Sequence, residues 1–224
     1  MTSTRPVPPL PQPQPPAAGA QALADAAGAA ARAWARPLPQ DRHQRALSQL
    51  YSTLRDLGIA ARGLAVWQVP GTPEEPAARE FTRHVTSGSR WYLGACICLD
   101  EVLAFEGLVG FGPLPDPDEP GAALCRAARN VILAWRLPAG SSECRDATVR
   151  AFITATGLVS AGALGLSACA PRRTFIGLQA VIASLAEVVA ALSAAAGDPP
   201  ADPARDESTS RPLPARRPGT EEVS

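Results

Sequence analysis

The sequence predicts an all-α fold, an antiparallel bundle of five to six helices with disordered Pro-rich ends. Three observations lead there. Apolar residues make up 46% of the chain but aromatics only 5%, so the core must be built from Ala, Leu and Val at close range. Apolar positions recur at steps of three and four over long stretches. No convincing period-2 run rich in Val, Ile, Thr and Tyr is found, so strand signals are poor.

Residues 1–19, dominated by Pro and Gln, form a tail that cannot bury apolar surface. Their P-x-x-P spacings, such as Pro13 to Pro16, would suit a docking peptide but equally a solubilising arm. Residues 198–224 read as a second tail of Pro, Arg and acids, which leaves 20–197 as a single helical domain. "MTSTRPVPPLPQPQPP" carries no apolar h-region, so no signal peptide is expected.

A first, Ala-rich helix is expected over about 20–36, before "PLP". The second starts near Asp41, where Asp41 and Gln44 have capping-box spacing. Its seam is Leu47, Leu50, Leu54, Leu57, Ala61 and Leu64, and it ends at "QVPG". The third has the best start signal, "TPEE": Thr72 can cap, Pro73 suits the first helical position and Glu75 can reach back. It runs to about Leu108. A fourth, roughly 119–137, carries Leu124, Ala127, Val131 and Ala134 on one face. The fifth, about 142–169, holds Gly157, Ala161 and Gly165 at steps of four, a flat face that lets another backbone approach. The sixth runs to about Ala196 with a seam of Phe175, Leu178, Ile182, Leu185, Val189 and Leu192. Pro171 between them marks either a hairpin turn or a kink. This hairpin, 142–196, is expected to be the most buried part.

Several chemistries are excluded. All 21 basic residues are arginine, so a Walker A phosphate loop, a pyridoxal Schiff base and a lysine general base are impossible. Residues 40–197 balance 14 Arg against 14 acids, and no nucleic-acid partner is expected. The five cysteines, at 96, 98, 125, 144 and 169, read as thiols in a reducing, cytoplasmic compartment. There is no G-x-S-x-G and no Cys placed beside a His by sequence.

In "SRWYLGACICLDEVLAFEG", Cys96 and Cys98 point about 200° apart on a helix, so they cannot share one ion. Cys98 joins Trp91, Ala95, Val102 and Phe105 on one stripe; Cys96 joins Tyr92, Leu99 and Leu103 on the next. The candidate core is thus Leu50, Leu54, Trp91, Cys98, Phe105, Phe175, Ile182 and Val189. His84 and Glu106 project toward the same apolar face, where an unpaired carboxylate is costly. Glu80, one turn before His84, can pair with it. An antiparallel pairing of the second and third helices would bring His43 near Glu101 and Glu106. His43, Glu80, His84 and Glu106 are therefore the candidate ligand or metal residues. The spacing falls short of the di-iron pattern of Glu-x-x-His twice plus two Glu, and no cofactor is expected. Glu187 poses the same question on the sixth helix.

Residues 151–170 carry no charge and 174–196 only Glu187, so a membrane-inserted hairpin over 151–196 is an alternative. Against it, the first run holds only six of Phe, Ile, Leu and Val. The leading expectation is a non-enzymatic cytoplasmic helical module that self-associates or binds other proteins. A helical bundle that binds a small ligand or metal is the other alternative.

Overall fold

The computed structural model describes residues 16–65, 76–108, 119–134 and 142–197. It contains six helices: α1 (Pro16–Trp34), α2 (Gln40–Ala65), α3 (Pro76–Phe105), α4 (Pro120–Ala134), α5 (Ser142–Ser167) and α6 (Arg172–Ala195). No strand occurs among the described residues. The "TPEE" start signal and nearly all of both tails lie outside them. α1 starts at Pro16, ahead of the expected boundary, since proline's fixed φ and missing N–H suit a first helical position.

The helices close into a ring in the order α3, α6, α5, α1, α4, α2 and back to α3, with α2 also meeting α5 across the middle. This is two layers of three, α1–α5–α6 and α4–α2–α3. Chain direction alternates along the sequence. Ser89 Oγ donates to Gly58 O and Thr82 Oγ1 to Ala65 O, which makes α2 and α3 antiparallel. Gly177 packs on Val102 and Gly88 on Leu192, so α3 and α6 are antiparallel as well. Two neighbouring pairs are instead parallel: α1 with α5, where Gly28 meets Leu158 and Trp34 meets Gly162, and α2 with α4, where Thr53 meets Cys125 and Asp56 meets Arg129.

The core is contiguous. The second helix's expected seam is confirmed in full: Leu47, Leu50, Leu54, Leu57, Ala61 and Leu64 are all completely buried. Between the layers, Tyr92 and Phe152 meet edge to face with centroids 6.0 Å apart. The Tyr92 hydroxyl lies 2.5 Å from Thr156 Oγ1, which itself donates to Phe152 O at 2.8 Å. The threonine proton is thereby used, so Tyr92 is the donor and both hydroxyls are satisfied.

Three expectations need correction. The α5–α6 hairpin is not the most enclosed part: α2 buries 11 of 26 residues, α6 only 6 of 24. α2 is the middle helix of its layer, while α6 stands at the end of the other. Of the candidate core, Trp91, Phe105 and Phe175 are 42%, 50% and 43% exposed, and Cys98, Ile182 and Val189 are half-buried. α3 turns Tyr92, Ala95, Leu99, Val102 and Leu103 inward, because α2 and α6 flank it and the inward direction lies between them. On α6 the inward seam is Thr174, Leu178, Val181, Leu185, Val188 and Leu192, sharing Leu178, Leu185 and Leu192 with the expected one. The small-residue face is also rotated. Gly157 has open space beside it and Ala161 is exposed, whereas Gly162 and Gly165 take the end of α1. Pro171 lies between two separate helices, so it marks a turn and not a kink.

A Cβ on Gly165 would lie 2.7 Å from Trp34 O and 2.9 Å from the Ala35 backbone, whereas one on Gly157 would meet nothing. Gly165→Ala is therefore expected to lower stability by about 1–3 kcal/mol. Gly157→Ala is expected to raise it by about 0.5–1 kcal/mol through helix propensity. Urea denaturation of the two variants checks the opposite signs.

Candidate functional site

α2 starts and α3 ends at the same end of the bundle, where α1 and α5 also finish and α4 and α6 begin. His43 and Glu106 both sit there, but each is bound to a different helix. His43 Nε2 lies 3.0 Å from Leu166 O. A carbonyl only accepts, so Nε2 carries the proton and satisfies one of the free carbonyls ending α5. Glu106 Oε1 accepts from the buried Thr174 Oγ1. This seats a carboxylate in the first turn of α6, which has no side-chain cap of its own. Glu106 is thus paired on the inner side of α3, which answers the desolvation problem that its position raises.

Glu80 and His84 lie at the opposite end. Glu80 Oε1 is 3.6 Å from His84 Nε2 and 3.1 Å from Arg83 Nη2, and the carboxylate is largely exposed. The four candidates are therefore split between the two ends of helices about 40–45 Å long. They do not form one site. Among the described residues no group of three or more His, Cys, Asp and Glu is placed to hold a metal ion. Glu187 is exposed on the outer side of α6, so it raises no burial cost.

A polar ladder, absent from the candidate residues expected above, runs along the α2–α4 contact. Glu119, just before α4, accepts from Arg45 Nε at 2.9 Å and from Gln49 Nε2 at 2.6 Å. Its hydrogen bond pushes the Arg45 guanidinium pKa further up. One step on, Cys125 Sγ lies 3.4 Å from Thr53 Oγ1 and donates to Gln49 O at 3.3 Å. Next comes Asp56, with a side chain only 5% exposed, held by Arg129 Nε at 3.1 Å and Arg55 Nη2 at 3.2 Å. The signal was present: 45, 49, 53 and 56 follow helical spacing and run beside the leucine seam.

A cavity of about 370 Å³ opens at the lower end of this ladder, lined by Trp34, Leu38, Arg42, Arg45, Gln49 and Glu119 among others. Trp34 is 4% exposed and wedged between Gly121 and Gly162, where an added Cβ would come within 3.0 and 2.8 Å of its ring. The Arg45 and Glu119 charges in the wall already neutralise each other. Elsewhere Arg145 lies over the Phe81 ring at 4.6 Å, and Arg173 over Phe105 at 5.2 Å.

Several large apolar side chains stand on the outer surface. Trp91, Leu93, Ile97 and Phe105 on α3, Leu164 on α5, and Phe175 and Ile176 on α6 are all 42–58% exposed. Trp91, Cys98 and Phe105, seven residues apart, form one stripe on α3. The Arg173 contact shows that this stripe borders α6. No protein-family model matches this chain, and neither does any curated protein or solved structure.

The thiols differ in reach. Burial pushes Cys96 up to about 11 and raises Cys125, while Cys169 is exposed in the α5–α6 turn. Native protein treated with iodoacetamide at pH 8 should be alkylated at Cys169, with Cys96 and Cys125 modified only after denaturation; peptide mass mapping checks this. Because folding holds Cys96 protonated, its stabilising contribution is full below the ordinary thiol value of 9.0 and is lost as pH rises toward about 11.

Proposed function

We propose that this chain is a non-enzymatic, cytoplasmic helical module that self-associates or engages other proteins through the outer side of α3 and α6. One observation carries the reading. Large apolar side chains stand half in water on these two adjoining helices: Trp91 and Phe105 on α3, Phe175 and Ile176 on α6. Isolated exposed leucines are ordinary, but grouped aromatic and β-branched residues on one side of a bundle fit a partner surface. The polar clusters serve as joints between helices. His43 ties α2 to α5, Glu106 ties α3 to α6, and Glu119 and Asp56 tie α2 to α4.

The competing occupant of this surface is lipid. α5 from Arg145 and all of α6 have the length and composition to cross a membrane, with mean hydropathy of 1.5 and 2.0. Two features favour protein. The outer side of α6 carries Glu187 about two thirds of the way along and Arg172 at its start, and a charge facing hydrocarbon is costly. In addition, α1 and α3 flank the pair and cover their inner faces.

Sedimentation velocity of the full chain, without detergent, at loading concentrations from micromolar to submillimolar tests the reading. A concentration-dependent rise in mass is expected. A chain that stays strictly monomeric removes the self-association claim, and one that remains dispersed only in micelles contradicts the whole reading.

A further inference from the structure

The outer face of α6 has a pattern that matches itself when reversed. Five of the exposed positions on α6, Arg172, Ile176, Ala180, Ala183 and Glu187, lie at steps of four, four, three and four. At 100° per residue they fall within an arc of about 80°, on the side away from the buried seam of Leu178, Leu185 and Leu192. Read from the other end, the same line runs acid, small, small, β-branched, base.

We propose that two copies of this chain pair through α6, antiparallel about a two-fold axis passing beside Ala180; this rests on the self-association reading above and names its face and partner. In that register Arg172 of each copy meets Glu187 of the second, Ile176 meets Ala183, and Ala180 meets its own equivalent. A closed two-fold interface requires a self-complementary surface, and this order of side chains supplies one.

Charge complementarity picks out a second copy over an unrelated partner. Arg172 and Glu187 are 15 positions apart, about 22 Å along one helix, so they cannot pair within a copy. Neither makes an ion pair among the described residues. A reversed second copy satisfies both at once, at both ends of the contact. The two alanines at the centre let the helices approach to about 8 Å. Ile176, at 58% exposure the most open of the large apolar residues among the described ones, then lies over the space beside Ala183. The flanking Phe105 and Leu164, on the helices either side of α6, border the contact. A single four-turn stripe buries less than a standard interface, so the dimer should be reversible and salt-sensitive.

Charge reversal in the full chain tests the register, with sedimentation velocity as the readout and circular dichroism as a check on folding. Glu187→Arg and Arg172→Glu each place like charges together at both ends, so each should weaken self-association by about tenfold. A mixture of the two variants restores opposite charges at both ends and should associate as the native chain does. Ala180→Trp, which puts two indoles on the axis, should abolish the dimer. If the native chain dimerises but is indifferent to all three changes, or if the mixture stays as weak as its components, the α6 pairing is wrong and another face carries the association. If the native chain is monomeric throughout, the self-association reading falls with it.

Discussion

The two layers are registered at their centre by one buried hydroxyl, with His43 and Glu106 tying them at one end. Tyr92 projects from α3 through the middle of the molecule to Thr156 on α5, where its proton goes to the threonine oxygen, and its ring packs edge to face with Phe152. α3 and α5 are not neighbours in the ring. A fully buried phenol without a partner would cost about 1–3 kcal/mol. The layers are therefore held at one relative height, and a slide of one helical turn would strand the hydroxyl. Burial also pushes the Tyr92 pKa up, so the group stays a donor at any ordinary pH.

With the layers registered, the remaining problem is the two parallel neighbours. Antiparallel helices joined by short connections find their partners locally, but parallel ones must be specified at a distance. The two pairs use different devices. α1 lies close to α5 because Gly162 and Gly165 leave room for Trp34 and the backbone at Ala35. α2 is matched to α4 by a series of polar pairs, Arg45 and Gln49 to Glu119, Thr53 to Cys125, Asp56 to Arg129. Such pairs add little net energy where one partner is exposed, as Arg129 is, but a wrong register leaves Asp56 buried without a counter-charge. We interpret them as devices for specificity more than for stability.

How much of this the residues announce depends on how narrow each helix's apolar stripe is. On α2 the apolar and polar stripes are well separated, and every leucine of the expected seam is inside. On α3 two apolar stripes lie side by side, one through Trp91 and Phe105, the other through Tyr92 and Leu99, and helical spacing alone does not choose between them. The choice is made by the angle between α2 and α6, a tertiary fact. α6 is apolar nearly all round, so half of its inward seam is displaced by one residue, to Thr174, Val181 and Val188. The candidate ligand residues failed for a related reason. Helix spacing placed His43 and Glu106 at one end of the bundle correctly, yet the sequence does not say that α5 and α6 end there and offer each a nearer partner.

The same geometry links fold to proposed role. A bundle whose core draws on all six helices, most on α2 and the inner stripe of α3, has apolar side chains left over, and most of these stand on α3 and α6. Whether the Tyr92–Thr156 pair fixes the interior is measured most directly by a double-mutant cycle on Tyr92→Phe and Thr156→Val. If the hydroxyl pair pins the layers, each single change destabilises the chain in urea and the double change costs at least about 1 kcal/mol less than their sum. Additive effects would contradict the central contact, and with it the claim that this hydroxyl pair fixes the relative height of the layers.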